Sequence, residues 1–494
     1  MDLSSDYRQK LDALLQPWNR SDAPGFVLGI AHRGRTIYRR GFGLASVQQG
    51  NANTPLTRMR IGSTSKHFAC LSALLLEEQG LLEIDAPLRR YLPELEGISG
   101  EPTLRECMLH TSGLRDPNDL LLFFVNKRWN NYPAPGHLLE LGRRIASLNF
   151  PRGERMIYCN QGYHLLARTI ERVSGLAYGD FLRERILAPM GMHDTALLAS
   201  DHQLLPRMAD LHLKDGEGWR RGLFPSEELL GEGGMVSTID DMLGWLAQLR
   251  SPQKTIGSAS SWEQMLRKPR YSSGAEGDYC LGLIREHWRG VEIVHHAGGV
   301  IGGNSQMLTV PAQELDLVIL CNRNDLVSPA LANRIVETLL GDALEAPATP
   351  QPRPGLLGRW YAPESQRLIG LLEAPLPGDT EPSLALSIQG QPMGAVRERD
   401  GQWVMSCSPH GRIIIDLPAE ERPERLQGCD NGHAETWQRL PEQGPAPELL
   451  APQLVGRYRE AELGMELAIV LIDGALHIDL LPESGYSRLR LTPY

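Results

Sequence analysis

The sequence predicts an α+β fold in which strands from the two ends of the first domain close one sheet, helices lie between them along the chain, and modules of β-type composition follow. Strand-type patterns occupy residues 25–45 and return after residue 278, and helical patterns lie between them. We therefore expect one sheet that the first and last of these strands close. A Pro-rich stretch at 345–354 follows, and the Asp-Gly pairs at Asp400 and Asp473 indicate β-hairpins beyond it.

The first elements follow from local periodicity. Residues 5–17 predict a helix on the outside of the first sheet. Residues 25–45 predict a β-hairpin with its turn at Arg33 and Gly34. Residues 63–79 carry an apolar stripe on a helical repeat, so we expect a buried helix there.

Helices and strands alternate in the rest of the first domain. Residues 161–173 predict a helix that ends at Gly175, and 238–249 predict one capped by Thr238. Residues 327–340 predict the last helix. Short strands are expected at 279–284, 292–296, 304–310 and 315–321.

Composition shifts divide the chain into three folded parts and two linkers. The last part follows a stretch rich in Pro and Gly and is so short that we expect an incomplete sheet with exposed edges. The predicted segments are the α+β domain 1–343, the Pro-rich linker 344–355, the β-barrel module 356–440, a second linker 441–452 and a short second β module 453–494.

Charge and composition narrow the function classes. The net charge is -10 and no basic block is present, which argues against nucleic acid and against an anionic membrane surface. No apolar run is long enough for a transmembrane helix, and the polar N-terminus shows no secretory signal. The seven scattered cysteines lack metal or disulfide spacing. These patterns predict a cytoplasmic protein without a metal or cofactor.

Ser63 and Lys66 are the most informative residues. Three positions apart at the start of a helix, they lie on the same face one turn apart. The apolar residues that follow are expected to lower the pKa of Lys66, so that its amine accepts the Ser63 proton. A serine here is also a common helix N-cap. The same spacing recurs at Ser251 and Lys254, but in a polar loop that contains proline, so we reject that pair.

Two further segments carry groups that suit this chemistry. Tyr158 can relay protons, and Asn160 can hold a substrate carbonyl or the lysine amine. His296 ends a strand and precedes Gly298 and Gly299, which let a substrate backbone lie against the strand edge. Each segment also fits a purely structural role, such as a core tyrosine, a capping asparagine or a glycine-rich turn.

These residues resemble the penicillin-recognising serine hydrolases, which include class C β-lactamases, DD-carboxypeptidases, related esterases and D-aminopeptidases. The resemblance covers most of residues 20–340 and strengthens the case for catalysis. The supporting motifs are His110–Leu114, Pro189–Thr195 and Gly233–Thr238. Within the family, a β tail, a histidine in the third motif and the stretch Gly113–Asp116 are similar to D-aminopeptidase.

The resemblance implies a β-lactamase/transpeptidase-like catalytic domain, with an antiparallel sheet flanked by helices, followed by antiparallel β-barrel-like modules. It also implies roles for the residues of the site. Ser63 would be the nucleophile, Lys66 the proton acceptor and Tyr158 the proton relay. The amides of Ser63 and Gly299 would form the oxyanion hole, and His296 would replace the cation of the family's third motif.

The implied activity is release of N-terminal D-amino acids, such as D-alanine, through an acyl-enzyme. The partner would be a small peptide or amino-acid amide with an N-terminal D-residue, β-lactams are candidate inhibitors, and a homodimer is a candidate assembly. In D-aminopeptidases a loop of the last β domain limits the site to substrates with a free amine. Here the segment 481–486 is the candidate substitute, and Asp116, Asp119 and Glu483 are the candidate partners of the amine.

Two alternatives stay open on the sequence. A DD-carboxypeptidase, β-lactamase or esterase of the same family needs a cation for a substrate carboxylate, with His296 or Arg115 as candidates. A protein that is acylated once and does not turn over needs only the reactive serine.

Overall fold

The structure is a computed structural model of the single chain. The residues it describes are 6–117, 136–223, 228–346, 353–375, 382–388, 391–399, 401–406, 411–462, 464, 466–480 and 487–493. The described helices are α1 Tyr7–Leu15, α2 Lys66–Glu78, α3 Leu104–Met108, α4 His137–Arg144, α5 Asn160–Ser174, α6 Tyr178–Leu182, α7 Ile239–Arg250, α8 Ala259–Leu266, α9 Ser328–Leu340 and α10 Pro447–Leu454.

The described strands belong to three larger sheets and several short ones. Those of the first domain are β1 Phe26–His32, β2 Arg35–Phe42, β3 Leu44–Ser46, β4 Asn51–Ala52, β5 Met59–Arg60, β6 Ala196–Leu197, β7 Leu211–Asp215, β8 Gly218–Gly222, β9 Met235–Ser237, β10 Ile284–Trp288, β11 Val291–Val300, β12 Gly303–Val310 and β13 Leu315–Cys321. Those that follow are β14 Gly358–Ala362, β15 Arg367–Pro375, β16 Pro382–Ile388, β17 Gln391–Arg399, β18 Gln402–Ser406, β19 Arg412–Asp416, β20 Arg425–Asp430, β21 His433–Arg439, β22 Gly456–Arg459, β23 Glu466–Ile472, β24 Ala475–Leu480 and β25 Ser487–Arg490.

A six-stranded antiparallel sheet forms the centre of the first domain, in the order β10-β11-β12-β13-β1-β2. β1 pairs with β13 from Phe26↔Cys321 to His32↔Leu315. The N-terminal hairpin and the late strands therefore close one sheet, as the sequence predicts. Together with the barrel described below, this confirms the predicted fold class.

Helices cover both faces of this sheet. On one face, Leu11 of α1 and Ile335 of α9 pack in a cluster with Leu28 of β1. On the other face, Trp245 of α7 packs in a cluster with Val27 and with residues of α2. The alternation along β1 follows the two-residue period of a strand. The α2 helix is thus enclosed between the sheet and the helical half of the domain.

One predicted strand, 279–284, is wrong, because β10 begins only at Ile284. Gly282 has φ +71, and a Cβ there would lie 2.7 Å from the His67 Cα. The chain therefore bends around α2 before the strand begins. The other predicted helices and strands of this domain are confirmed with shifted ends, and β11 continues as far as Val300.

Beyond the first domain, strands β14 to β21 form a closed antiparallel barrel. Its interior contains Trp360, Trp403 and Trp437, each 0% exposed. The residues 347–352 before it lie outside the described part of the chain.

The last module is an open sheet, β22-β23-β24-β25, against which α10 packs. This helix overlaps the segment 441–452, for which the sequence predicts a linker. Pro447 occupies the first helical turn, where proline is compatible with a helix, so the prolines mislead the prediction. The segment 481–486, proposed to reach the active site, lies outside the described residues. No helix in the described ranges is long and apolar enough to cross a membrane.

Candidate active site

The predicted nucleophile, Ser63, occupies a tight turn beside the central sheet. Ser63 lies in the 3₁₀ turn Gly62–Ser65, which leads directly into α2. Gly62 has φ +53, and a Cβ at this position would lie 2.9 Å from the Gly299 nitrogen. Both the backbone conformation and the close approach of β11 therefore require glycine. The Ser65 Oγ donates to the Gly62 carbonyl at 2.7 Å and holds the turn closed.

Lys66 is completely buried, and its amine has three polar neighbours. The Nζ atom lies 3.1 Å from the Ser63 Oγ, 2.8 Å from the Asn160 Oδ1 and 2.5 Å from the Glu232 carbonyl oxygen. Because the two carbonyl oxygens can only accept, they take the two hydrogens of a neutral amine. The nitrogen lone pair is then directed at the Ser63 hydroxyl, as a general base requires.

The electrostatic environment keeps this lysine close to its titration point. Burial lowers the pKa of Lys66 to about 7, while the Glu232 and Asp116 carboxylates act in the opposite direction. A large fraction of the amine is therefore neutral near neutral pH. The lowered pKa expected from the apolar run after Lys66 agrees with this environment.

Asn160 is held at the first turn of α5 by a carboxylate. The Asp116 Oδ2 accepts from the backbone N–H of Asn160 at 2.6 Å and of Gln161 at 3.4 Å. An acidic group at a helix N-terminus satisfies free N–H groups and interacts favourably with the helix dipole. The Asp116 carboxylate therefore already accepts hydrogen bonds from the backbone of α5, which argues against it as the partner of a substrate amine. The other two acidic candidates, Asp119 and Glu483, lie outside the described residues.

Tyr158 lies two residues before α5, with its ring 4.1 Å from that of His110 and 4.9 Å from the Lys66 Nζ. Burial raises the pKa of Tyr158. The phenol is therefore protonated near neutral pH. Any relay through Tyr158 uses a neutral hydroxyl rather than a stabilised phenolate.

His296 is brought to the site, where it is buried. Its Nε2 lies 2.9 Å from the Tyr279 hydroxyl, and its Nδ1 lies 2.6 Å from the Ala297 carbonyl oxygen. Burial, followed by the nearby Lys66, lowers the pKa of His296 well below its ordinary value. Burial and the two occupied nitrogens disfavour the imidazolium form, so the geometry does not support the cationic role that the family resemblance implies, and that role stays a prediction.

The end of β11 next to the serine offers an unpaired strand edge. The pairing of β10 with β11 stops at Ile284↔His295, so in the described structure residues 296–300 pair only with β12. A Cβ on Gly298 would lie 1.8 Å from the Ile61 oxygen, whereas a Cβ on Gly299 would meet nothing within 4 Å. Gly298 therefore permits the close packing, and Gly299 borders open space where a substrate backbone fits.

Sequence reasoning missed Glu232 and Tyr279, which contact the amine and the imidazole of this site. A backbone carbonyl carries no residue signal, and Tyr279 lay in a stretch predicted as a regular strand. Arg115, a candidate cation, is instead paired with Glu462 of the last module at 2.6 Å. No group of three or more His, Cys, Asp or Glu among the described residues is arranged to hold a metal ion.

Comparison with known proteins now identifies the family. A family model described as Beta-lactamase matches residues 8–341, which is more than half of the chain. The chain belongs to the beta-lactamase family. This match spans the whole first domain, with the Ser63–Lys66 pair at the start of α2 and the glycine-rich end of β11.

Curated relatives and solved structures extend the comparison beyond this domain. The chain is similar to a D-aminopeptidase of Brucella melitensis, 28% identical over 92% of this chain and 82% of that one. It is also similar to a D-aminopeptidase of Cereibacter sphaeroides, 27% identical over 97% of this chain and 88% of that one. A penicillin-binding protein homologue from Pyrococcus abyssi has a TM-score of 0.57 at 19% identity and covers 98% of this chain and 99% of its own. A D-amino acid amidase from Ochrobactrum anthropi has a TM-score of 0.56 at 23% identity, and the match covers 69% of this chain and 99% of that one.

Proposed function

We propose that this protein is a serine aminopeptidase that releases N-terminal D-amino acids, such as D-alanine, from peptides, amides or esters. The observation that carries the proposal is the contact of the completely buried Lys66 amine with the Ser63 hydroxyl at 3.1 Å, at a position where burial lowers the pKa of the amine to about 7. The curated D-aminopeptidases, similar over nine tenths of the chain, support the substrate class.

Acylation follows from the contacts at Ser63. Lys66 accepts the Ser63 proton while Oγ attacks the substrate carbonyl, and the amides of Ser63 and Gly299 stabilise the oxyanion. When the C–N bond breaks, Tyr158 donates its proton to the leaving nitrogen and regains one from the Lys66 ammonium. Water then attacks the ester carbonyl, Lys66 accepts the water proton, and Ser63 leaves protonated.

The same geometry disfavours the alternative family activities. A DD-carboxypeptidase or β-lactamase binds a substrate carboxylate, for which a nearby cation is required. Of the two cations considered, His296 is neutral and buried and Arg115 is paired with Glu462. We therefore favour a substrate that has a free amine at its acyl end and lies along the open edge of β11.

The deciding experiment compares D-alanyl p-nitroanilide with its N-acetylated and L-alanyl counterparts, with Ser63→Ala as the blank. We expect turnover of the free-amine D-substrate, with at least about tenfold lower kcat/KM for the other two. Equal rates with and without the acetyl group would instead indicate an esterase or carboxypeptidase with an open cleft. Stoichiometric labelling of Ser63 without turnover would indicate a protein that is acylated once.

We also propose a cytoplasmic location. The support is that the six described cysteines carry free thiols, which is typical of proteins in a reducing compartment. Cell fractionation, with a periplasmic marker enzyme as the reference, tests this location. Recovery of the protein in the fraction that contains the marker would contradict it.

A further inference from the structure

The two proposed oxyanion donors belong to segments that are far apart in the chain. The Ser63 amide lies in the turn Gly62–Ser65, whereas the Gly299 amide lies in β11. A Cβ at Gly62 would lie 2.9 Å from the Gly299 nitrogen, so the two segments are in close contact. An oxyanion hole requires both N–H groups to lie about 2.7–3.1 Å from the same oxygen. Whatever holds the turn against β11 therefore also sets the geometry of the hole.

Ser305 of β12 supplies this connection. It pairs with Gly298 in the ladder between β11 and β12, and it is 1% exposed. Its hydroxyl donates to the Ile61 carbonyl oxygen at 2.7 Å, two residues before Ser63. A Cβ at Gly298 would lie 1.8 Å from the Ile61 oxygen and 2.6 Å from the Ser305 Oγ. The space that a side chain at position 298 would fill is therefore occupied by this hydrogen bond.

Thr64 contacts the same hydroxyl from the residue that follows the nucleophile. Its Oγ1 lies 3.0 Å from the Ser305 Oγ and 3.4 Å from the His296 carbonyl oxygen, and Thr64 is 1% exposed. Because the Ser305 hydrogen goes to the Ile61 carbonyl, which can only accept, Thr64 is the donor to Ser305. One serine side chain thus bonds the residue two before Ser63 and the residue one after it.

The side of the turn that faces β11 depends on these side-chain bonds. Among the described residues, no backbone hydrogen bond joins the segment 61–65 to β11 or β12. The opposite side is held separately by β9: the Ile61 N–H donates to the Met235 carbonyl oxygen at 3.0 Å, and the Met235 N–H donates to the Ser65 Oγ at 3.1 Å. Loss of the Ser305 hydroxyl would therefore loosen the turn from β11 while β9 still holds it.

We propose that Ser305 is a positioning residue for acyl transfer: through Ile61 and Thr64 it sets the position of the Ser63 amide relative to the Gly299 amide. Its contribution is geometric, since it fixes the distance between two donors that lie on separate segments. A displacement of even 1 Å at a reacting centre can lower a rate about 100-fold. The inference rests on the proposed acyl-enzyme chemistry at Ser63.

The effect of Ser305 is separable from that of the base. In the described structure the Ser305 hydroxyl makes no hydrogen bond with the Lys66 amine or with the three polar neighbours of that amine. Acylation and deacylation both pass through a tetrahedral oxyanion, whereas substrate binding in the ground state does not. Loss of the hydroxyl should therefore lower kcat and leave KM and the midpoint of the pH profile unchanged.

Ser305→Ala tests the proposal, because it removes only the hydroxyl. On D-alanyl p-nitroanilide, or on the best substrate of the wild-type comparison if that differs, we expect kcat to fall about 10- to 100-fold and KM to change less than about threefold. Ser72→Ala is the matched control, since the Ser72 hydroxyl is also fully buried and donates to a backbone carbonyl, that of Phe68, at 2.8 Å. It should leave kcat within about threefold of wild type.

Two substitutions of Thr64 give a second reading. Thr64→Val keeps the shape and removes the hydroxyl, so kcat should fall about 3- to 10-fold, whereas Thr64→Ser keeps the hydroxyl and should retain the wild-type kcat. Because Thr64 acts through Ser305, Thr64→Val should add little to Ser305→Ala in the double variant. If Ser305→Ala does not fold, the valine and serine variants decide the question, and equal rates for these two would overturn the proposal.

Three results with Ser305→Ala would overturn the proposal: a kcat within about threefold of wild type, an equal fall in Ser72→Ala, or a loss carried by KM. A failure of the D-aminopeptidase assignment is a separate outcome, because it would appear in the wild-type comparison of free and acetylated substrates. The Ser305 result is a ratio of variant to wild type for any acyl group that the wild type accepts. If Ser63 is acylated without turnover, the rate of acylation replaces kcat in that ratio.

Discussion

Two basic side chains, Lys66 and His296, lie buried at the same site, but their pKa values are affected differently. Lys66 and His296 are both 0% exposed, yet the pKa of Lys66 is about 7, whereas that of His296 lies well below its ordinary value. Burial is the largest cause in both. The difference comes from the neighbours, because carboxylates face Lys66, whereas His296 faces Lys66 itself and further histidines. Burial alone therefore does not assign a catalytic role; the sign of the neighbouring charge does.

The largest expected effect is at Lys66. Lys66→Met keeps the length and the apolar stem but removes the lone pair, so kcat/KM should fall about 10²- to 10⁴-fold. Steady-state rates on the anilide measure it. Lys254→Met is the matched control, since Lys254 also follows a serine by three residues and is bound to the carbonyls of Gln248 and Leu249. Activity of Lys66→Met within tenfold of wild type would contradict the assignment of Lys66 as the base.

The pH dependence should be the next largest effect. Because the neutral amine is the active form, kcat/KM should rise with pH and reach a plateau above about 7, falling about tenfold for each pH unit below it. His296 should add no inflection between about pH 5 and 7 if it is neutral throughout this range. An inflection in that range that is lost in His296→Asn would show that the imidazole titrates after all.

A smaller effect is expected from removing the negative charge next to Lys66. The buried Glu232 carboxylate raises the pKa of Lys66, so Glu232→Gln should move the ascending limb of the pH profile to lower pH, with the plateau retained. Glu228→Gln is the control, since Glu228 is equally buried but bonds the backbone at Gly136 and Leu138. A shift to higher pH, or the same shift in both variants, would contradict this account of the lysine.

The smallest effect concerns a pair that is not buried. Arg115 and Glu462 are each 23% exposed and join the last module to the loop that precedes Asp116. Such pairs stabilise by less than about 1 kcal/mol, so Glu462→Gln should lower the free energy of unfolding by no more than that. Chemical denaturation measures it, with Glu460→Gln, whose carboxylate lies 3.8 Å from Arg115, for comparison. A loss of several kcal/mol would mean that this contact holds the module in place.

The chemistry at the start of α2 was determined by the sequence to a large extent. A serine and a lysine one turn apart, followed by apolar residues, specify their own contact and the burial of the amine, because both follow from helical geometry and the hydrophobic effect. The glycines of β11 and the alternation of β1 likewise indicated a close approach and a two-faced sheet.

The interactions between segments that are distant in the sequence were decided only by the tertiary structure. The Glu232 carbonyl reaches Lys66 across 166 positions, and no side-chain pattern marks it. Tyr279 meets His296 because Gly282 bends the chain around α2, which a strand pattern hides. The charge of His296 depends on which groups surround it after folding, and composition does not contain that information. Local periodicity determines elements and nearest contacts, whereas the protonation of a buried base is a property of the assembled site.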